Sequence, residues 1–477
     1  MSPLNATERL VPTANSHANA NTIAAITDRA AQRARPAGHL TLPGAAALAV
    51  IVLINVWFWV VSAHRIHGEP FAGFAYVFVT GCGDFEHFDH AGRAMLLGQD
   101  IYASGAGGYI YPPLVAFLFM PLAWLPVKTA ALVMLAINIA LGVWCTWLAS
   151  AEALRRFNVE GSFNNVVVVA AVTLFLAATK MRSEFQMWQT NVPMMLAVLL
   201  AFRWLDARPR LAGLLLGAAV NVKYLPIVLL PYLILRRRYK AAAAFVVGVV
   251  VFALLPALRT GLATNLRQWK IALSGLARLL GMDVPVVERA ANVDPIAIGH
   301  SISITSGLSR VLGPQAPPNQ ALLLAGAVAL VLAVLWVAIY ARSGKPLLRW
   351  PEAARQRVQP YLGMVALEWA GLIALVLAFS PQTNPRHTSL LLMVFAPIAV
   401  MLCFPRTGQS RSMAWWAMAI LFVGIVLPPN LPQFAELLTW WRRVGAAGWS
   451  MALMLPFFLM AGLKYVDGPR PATLLVQ

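Results

Sequence analysis

Apolar residues along this chain run in long uncharged blocks, with short and mostly basic connections between them. The blocks at 42–62, 129–149, 241–258, 320–341, 387–404 and 446–463 each meet or approach the length a bilayer demands, roughly 20 apolar residues for one α-helix. Helices are what they predict, because in hydrocarbon every backbone N–H and C=O must be satisfied within the segment.

Shorter blocks complete the order. Residues 163–179 and 191–204 predict helices on either side of a polar loop, Lys180 to Gln189. Residues 211–236 are interrupted by Asn221, Lys223 and Pro226, which splits them into two short spans with Lys223 between. Further spans are expected at 361–379, 413–428 and 446–465. Tyr111–Pro126 is apolar but bracketed by Pro112, Pro113, Pro121 and Pro126. Proline breaks the helical ladder, and broken helices at membrane depth are tolerated where they line a cavity. A half-helix or re-entrant segment is expected there, since a full span would move Arg155 and Arg156 to the other face. The fold class that follows is an all-α polytopic membrane protein of about twelve transmembrane helices, eleven to thirteen by this pattern.

Composition agrees. Of 477 residues, 60% are apolar and 12% charged, against about 25% charged in soluble domains. The net charge of +19 comes from Lys and Arg in the connections, which is how a bilayer sorts orientation. Nucleic-acid binding would want a basic face with aromatic interleaving, and none is visible. Arg29, Arg33 and Arg35 precede the first apolar block, so the N-terminus is expected in the cytoplasm. No cleavable signal peptide is expected. Residues 1–41 read as a disordered cytoplasmic tail, 42–466 as one transmembrane catalytic domain, and 467–477 as a cytoplasmic C-terminal tail. Within the domain, 64–110 is the first outer loop and 259–319 a long one. The expected location is the cell membrane, multi-pass, with both termini cytoplasmic. The three cysteines, Cys82, Cys145 and Cys403, make no disulfide framework; the latter two read as packing residues.

Titratable side chains gather on one face. His64, His67, His87, His90, His300 and His387 all fall at outer loops, as do Glu69, Asp84, Glu86, Asp89 and Asp100. The first outer loop runs Gly81-Cys-Gly-Asp-Phe-Glu-His-Phe-Asp-His90 and on to Tyr102, then Tyr109-Ile-Tyr-Pro-Pro113. Glycines before Asp84 let the backbone turn tightly. A carboxylate so held can act as a general base; Asp84 equally suits the N-cap of a helix over 85–97. His87 and His90, three apart, allow a metal site, but no complete ligand set follows from the spacing, and a polar helix face is the preferred reading.

As an ordered set, Asp84 to Pro126 with its Tyr109-Ile-Tyr-Pro-Pro-Leu114 and Pro121-Leu-Ala-Trp-Leu-Pro126 runs resembles glycosyltransferase family 87. Gln186-Met-Trp-Gln-Thr-Asn191, Asn221-Val-Lys-Tyr-Leu-Pro226 and Ser380-Pro-Gln-Thr-Asn-Pro-Arg-His387 extend the similarity over about 300 residues. The resemblance implies a C-type glycosyltransferase fold and an enzyme that transfers a hexose, mannose by preference, from a polyprenyl-phosphate donor to a lipid or glycan acceptor. It implies inversion on the extracytoplasmic face, with no metal and no cofactor. The position of Asp84 is that of the catalytic base.

A departing phosphate needs cations. Lys223, His387, Arg386, Arg182 and Lys180 share one side in this topology and are the donor-phosphate candidates; each also reads as an interface residue, Lys223 least so. Glu86, His87, Gln186, Gln189, Asn191 and His300 are the sugar or acceptor candidates, or ordinary loop polars. Glu86 and Asp89 are rivals to Asp84 as base. The long loop carries Trp269, Arg278, Arg289, Asp294, His300 and Ser301, and its amphipathic stretches suit the outer leaflet. Glu368, inside an apolar block, is expected to pair with an Arg near the inner face. The competing readings are a transporter or flippase of lipid-linked sugars, which would show internal repeats, and another lipid-linked glycan transferase or ligase.

Overall fold

The computed structural model of the protein describes residues 41–67, 81–103, 109–279, 282, 284–285, 295–345, 347–348, 358–426 and 435–469. Residues 1–40 and 470–477 of the two expected tails, and Glu69, Arg289 and Asp294, lie outside them. No strand occurs among the described residues. Among the described residues, eight helices are long and apolar enough to cross a membrane. They include Leu42–His67, Val127–Arg156, Phe163–Gln186, Pro318–Arg342 and Ala446–Asp467. Three shorter apolar helices, Asn191–Trp204, Pro209–Val222 and Leu225–Leu235, lie between them.

The break at Lys223 is real. Pro209–Val222 ends on Lys223 in an extended conformation, and a 3-10 turn, Leu225–Val228, starts the next segment. Tyr111–Pro126 forms a seven-residue helix, Pro113–Phe119, then a 3-10 turn, Leu122–Trp124. One expectation fails. Lys180 to Gln186 is not loop: the helix Phe163–Gln186 continues through it, because one polar turn at a helix end extends the hydrogen-bonded ladder at little cost. The expected span at 413–428 is helical over Gly408–Leu421 and then turns as a π-helix, Phe422–Val426.

Close backbone packing sets the frame. Pro209–Val222 lies on Tyr239–Leu254 through Gly213, Gly217 and Gly248, and a Cβ on either of the first two would run into the facing backbone. Small residues four apart let helices approach this way. The approach lets Asn221 Nδ2 donate to both Gly217 O (2.9 Å) and Val249 O (3.0 Å), which fixes the residue two before Lys223.

Charges are segregated to the two ends of the helices. Val127–Arg156 ends in Glu152, Arg155 and Arg156, and Arg156 stacks over the Phe202 ring with its Cζ 3.7 Å from the centroid. At that same end Glu368 accepts from Tyr232 Oη (2.9 Å) and from Arg236 Nε (2.8 Å), so the expected arginine partner is Arg236. The other end holds Asp84 and the residues around it.

Candidate functional site

Asp84 begins where a turn ends. Gly81 and Gly83 take positive φ, 74° and 59°, and Gly83 packs so closely on the Gln186–Met187 backbone that a Cβ there would sit 3.2 Å from Met187 Cα. Asp84 occupies the N-cap position of Phe85–Leu96, yet its side chain makes no capping hydrogen bond. The carboxylate turns away instead. Oδ2 accepts from Arg386 Nη1 at 2.8 Å and from Gln189 Nε2. No hydrogen bond reaches Oδ1 from the described residues, so one oxygen orients the group and the other keeps its lone pairs.

The helix after Asp84 is anchored by its own sequence. Arg93 Nε binds Asp89 at 2.7 Å and Arg93 Nη2 donates to Leu125 O at 2.6 Å. Asp89 is therefore committed to Arg93 through both carboxylate oxygens. Phe88 packs on Tyr111 and Phe119, with ring centroids 4.9 and 5.0 Å away. The Tyr-Ile-Tyr-Pro-Pro run divides its labour. Tyr109 Oη donates to Pro112 O (2.7 Å) and accepts from Ala116 N (2.9 Å), serving the first turn of Pro113–Phe119, where amides have no i−4 carbonyl within the helix. Tyr111 Oη instead donates to Gln189 Oε1 at 3.0 Å. Burial, reinforced by Asp84, holds the Tyr111 phenol above its usual range, so it remains a donor.

Gln189 is the hub. Its Oε1 accepts from Tyr111 and from Lys223 Nζ (3.0 Å), while its Nε2 serves Asp84. Its backbone is held from below: Asn138 Nδ2 donates to Gln189 O (3.1 Å). Trp188, just before, sits at φ 49° and is fully buried, a left-handed conformation that costs a non-glycine residue about 1–2 kcal/mol. Glu184 closes the loop by accepting from Asn191 N (3.0 Å) and Asn191 Nδ2 (2.7 Å). Asn191 is thus a brace for this turn, with its amide nitrogen engaged by Glu184. Sequence reasoning passed over Glu184 and Asn138. An ionisable residue at the end of an apolar helix was the signal for the first; nothing marked the second.

Lys223 lies 8% exposed, its Nζ 5.3 Å from the Tyr111 ring centroid and 3.2 Å from His387 Nε2. Burial lowers the Lys223 ammonium below its usual range, against the pull of Glu184. His387 Nδ1 accepts from Asn384 N at 3.3 Å, as half of a reciprocal cap on the 3-10 turn Pro385–Leu391. With Nδ1 accepting, the ring proton falls on Nε2, and two donors face each other across 3.2 Å. They agree only if Lys223 is neutral, or if an oxyanion enters and accepts from both. The turn is latched by the long loop: Ile302 N donates to Thr383 O (2.8 Å), and Ser301 and Ser306 hydroxyls donate to Pro381 O. These contacts too were invisible in sequence.

The other candidates divide. Glu86 and His87 are buried on the helix that starts at Asp84, and both carry interactions with neighbours. Burial pushes the His87 imidazole below its usual value, against Asp84 and Glu86. Among the described residues no three of His, Cys, Asp and Glu gather as a metal site would require. Gln186 ends its helix half-buried. His300 is exposed and acts electrostatically on His387. Lys180 and Arg182 are not in the Asp84 network; Arg182 stands over the Trp57 ring, 5.4 Å from its centroid.

Residues 109–354 match the profile of glycosyltransferase family 87. A polyprenol-phosphate-mannose-dependent alpha-(1-2)-phosphatidylinositol mannoside mannosyltransferase from Mycolicibacterium smegmatis is 25% identical over 426 residues, covering 82% of this chain and 86% of the relative. The protein of the same description from Mycobacterium tuberculosis is 24% identical over 429 residues, 83% of this chain and 87% of the relative. A polyprenol-phosphate-mannose-dependent alpha-(1-2)-phosphatidylinositol pentamannoside mannosyltransferase from Mycobacterium tuberculosis is 30% identical over 277 residues, 55% of this chain and 56% of the relative.

Proposed function

The chain belongs to glycosyltransferase family 87, and from that premise we propose that it transfers mannose from a polyprenyl-phosphate donor to a mannosylated lipid acceptor on the extracytoplasmic face. The observation that carries this reading is the single network joining Asp84, Arg386, Gln189, Lys223 and His387.

The chemistry follows from charge. Asp84 Oδ1 removes the proton from an acceptor hydroxyl, and that oxygen attacks the anomeric carbon as the carbon–oxygen bond to phosphate breaks. The electron pair leaves with the polyprenyl phosphate. One displacement inverts the anomeric centre. Negative charge grows on the departing phosphate, where fixed cations act most strongly. Lys223 and the His387 Nε2–H supply donors that lack a common acceptor until that oxygen arrives. Met194, Leu225, Pro226, Leu229, Ile373 and Leu390 line a small apolar pocket that follows Lys223 in the chain. Gln189 aligns base and cation, and Glu86, His87 and Gln186 border the space for the sugars.

The same reading places the Asp84 end outside and the arginine-rich end in the cytoplasm, as the positive-inside rule expects, with about twelve spans in a C-type fold and the cell membrane as its location. The relatives' descriptions suggest a phosphatidylinositol mannoside as acceptor and an α-(1-2) linkage. The test is a transfer assay on purified protein in nanodiscs with radiolabelled polyprenyl-phosphate-mannose and a host lipid extract. A labelled glycolipid formed by the wild type and lost in Asp84→Asn supports the reading. No product with any polyprenyl-linked sugar would overturn it.

A further inference from the structure

Arg386 and His387 follow Thr383 by three and four residues, and the run before them is gripped at alternate carbonyls by the long outer loop. Thr305 Oγ1 donates to Phe379 O (2.5 Å), Ser306 Oγ to Pro381 O (2.5 Å) and Ile302 N to Thr383 O (2.8 Å). Ser301 Oγ adds a second donor to Pro381 O at 3.2 Å. Phe379 is the last residue of the helix Val358–Phe379, where carbonyls have no partner within the helix. The loop supplies what the helix end lacks. From Thr383 the chain enters the reciprocal cap between Asn384 and His387. That turn sets Arg386 Nη1 2.8 Å from Asp84 Oδ2 and His387 Nε2 3.2 Å from Lys223 Nζ.

The gripping segment is itself fixed from behind. Ser303 caps the helix Ile304–Leu312, its Oγ accepting from Ser306 N at 3.1 Å. Arg310, on the same helix, gathers four carbonyls. Nη1 donates to Ile298 O (2.6 Å), Nη2 to Ser301 O (2.9 Å) and Arg442 O (2.8 Å), and Nε to Arg443 O (3.1 Å). Gly307 lies against the Val444 carbonyl, where a Cβ would collide, and Gly448 N donates to Ile302 O at 2.9 Å. The segment is thus clamped between the start of Ala446–Asp467 and the turn that carries Arg386 and His387. Ser301, Thr305 and Ser306 are buried, and hydrogen bonds are stronger where the surroundings are poorly polar.

We propose that Thr305 and Ser306, backed by Arg310, are positioning residues for the transfer: they set where Arg386 and His387 stand relative to Asp84 and Lys223, so the long outer loop governs the site without touching the reacting atoms. The effect on turnover rests on the transferase reading; the latch itself rests on the hydrogen bonds. Arg386 meets Asp84 and His387 meets Lys223 from one short turn, so a shift of that turn misplaces both pairs together. A displacement of about 1 Å in such a constellation costs up to roughly 10²-fold in rate.

The experiment uses full-length protein in nanodiscs, with kcat read on radiolabelled polyprenyl-phosphate-mannose and host lipid extract, and hydrogen–deuterium exchange read without substrate. Ser306→Ala and Thr305→Val each remove one hydroxyl, whereas Thr305→Ser keeps it; the Thr305 pair carries the test if Ser306→Ala fails to fold. Ser306→Ala and Thr305→Val are expected to lower kcat by about tenfold to 10²-fold, with Thr305→Ser within about twofold of wild type. In a His387→Ala background, where one of the groups it places is already gone, Ser306→Ala should cost less than about threefold more. Exchange over 384–391 should quicken by about tenfold in Ser306→Ala and stay unchanged over Asn191–Trp204. A loss that multiplies in full in the His387→Ala background overturns the proposal, because it marks general damage. Unchanged kcat overturns it too, as does exchange over 384–391 that stays the same or rises equally everywhere. Exchange needs no turnover, so a wild type that transfers no mannose would sink the functional reading while the exchange comparison still decides the latch.

Discussion

Arg386 donates to Oδ2 of Asp84 at 2.8 Å, an ion pair between residues 302 positions apart. Gln189 reaches the same oxygen from a third segment. Three remote pieces of chain thus converge on one oxygen and leave its twin open, an arrangement that points a base without consuming it. Asp84→Asn keeps the shape and one acceptor oxygen but cannot take a proton. Transfer should fall by about 10²–10⁴-fold, the range of general-base catalysis, with the thermal midpoint little changed. Retained turnover at wild-type protein levels would exclude Asp84 as base.

Lys223 and His387 act on one atom group and should behave as a unit. Lys223→Gln and His387→Ala are each expected to lower kcat by about 10²-fold or more, as removal of a transition-state donor does elsewhere. The double variant should be scarcely worse than either single one. Additive losses in steady-state kinetics would show that the two serve different groups.

Gly83 and Gly98 separate strain from position. Both have positive φ, 59° and 71°, but a Cβ on Gly83 meets Met187 Cα at 3.2 Å whereas one on Gly98 meets nothing within 4 Å. Either alanine variant should lose about 1–2 kcal/mol of stability. Only Gly83→Ala should also lose activity, by about tenfold to 10²-fold, because it displaces the Gln189 loop. Parallel thermal melts and kcat values on the two variants decide this.

At the far end, Glu368 and Arg236 are 1% and 2% exposed at their side chains. Arg236→Met leaves a buried carboxylate uncompensated and should destabilise by about 3–5 kcal/mol. Adding Glu368→Leu should recover most of it, since an apolar pair replaces a costly ionic one. A thermal midpoint in detergent that does not move in Arg236→Met would refute the pairing.

His87 predicts a pH limb. Burial sets its folded pKa below the usual value, so the unfolded chain, near pKa 6.5, takes the proton first. Stability is therefore unaffected well above pH 6.5 and declines as pH falls through it. Thermal midpoints between pH 7.5 and 5 should show that decline, and His87→Gln should flatten it.

Much of the architecture was legible. The apolar blocks, the break at Lys223 and the short Pro-bracketed helix after Tyr111 were all readable, because hydrocarbon forces each segment to satisfy its own backbone and proline acts on its own turn. The extent of Phe163–Gln186 was misjudged, since a polar last turn looks like loop until the ladder is seen to continue. Asp84 was readable as an acidic residue after a glycine turn, but whether it capped its helix or faced a partner was a question of where Arg386 and Gln189 lay. Asn191, a sugar candidate or an ordinary loop polar by sequence, donates both its backbone N–H and its Nδ2 to Glu184.

What the sequence by itself determined is local: which segments are helical, which are broken, which end gathers arginine and which gathers carboxylates and histidines. Those follow from solvent and from covalent neighbours. Only the tertiary structure decided which of Lys180, Arg182, Lys223, Arg386 and His387 stand around Asp84 and Gln189, because that depends on side chains as much as 302 positions apart meeting within 3.2 Å, a distance no local pattern encodes.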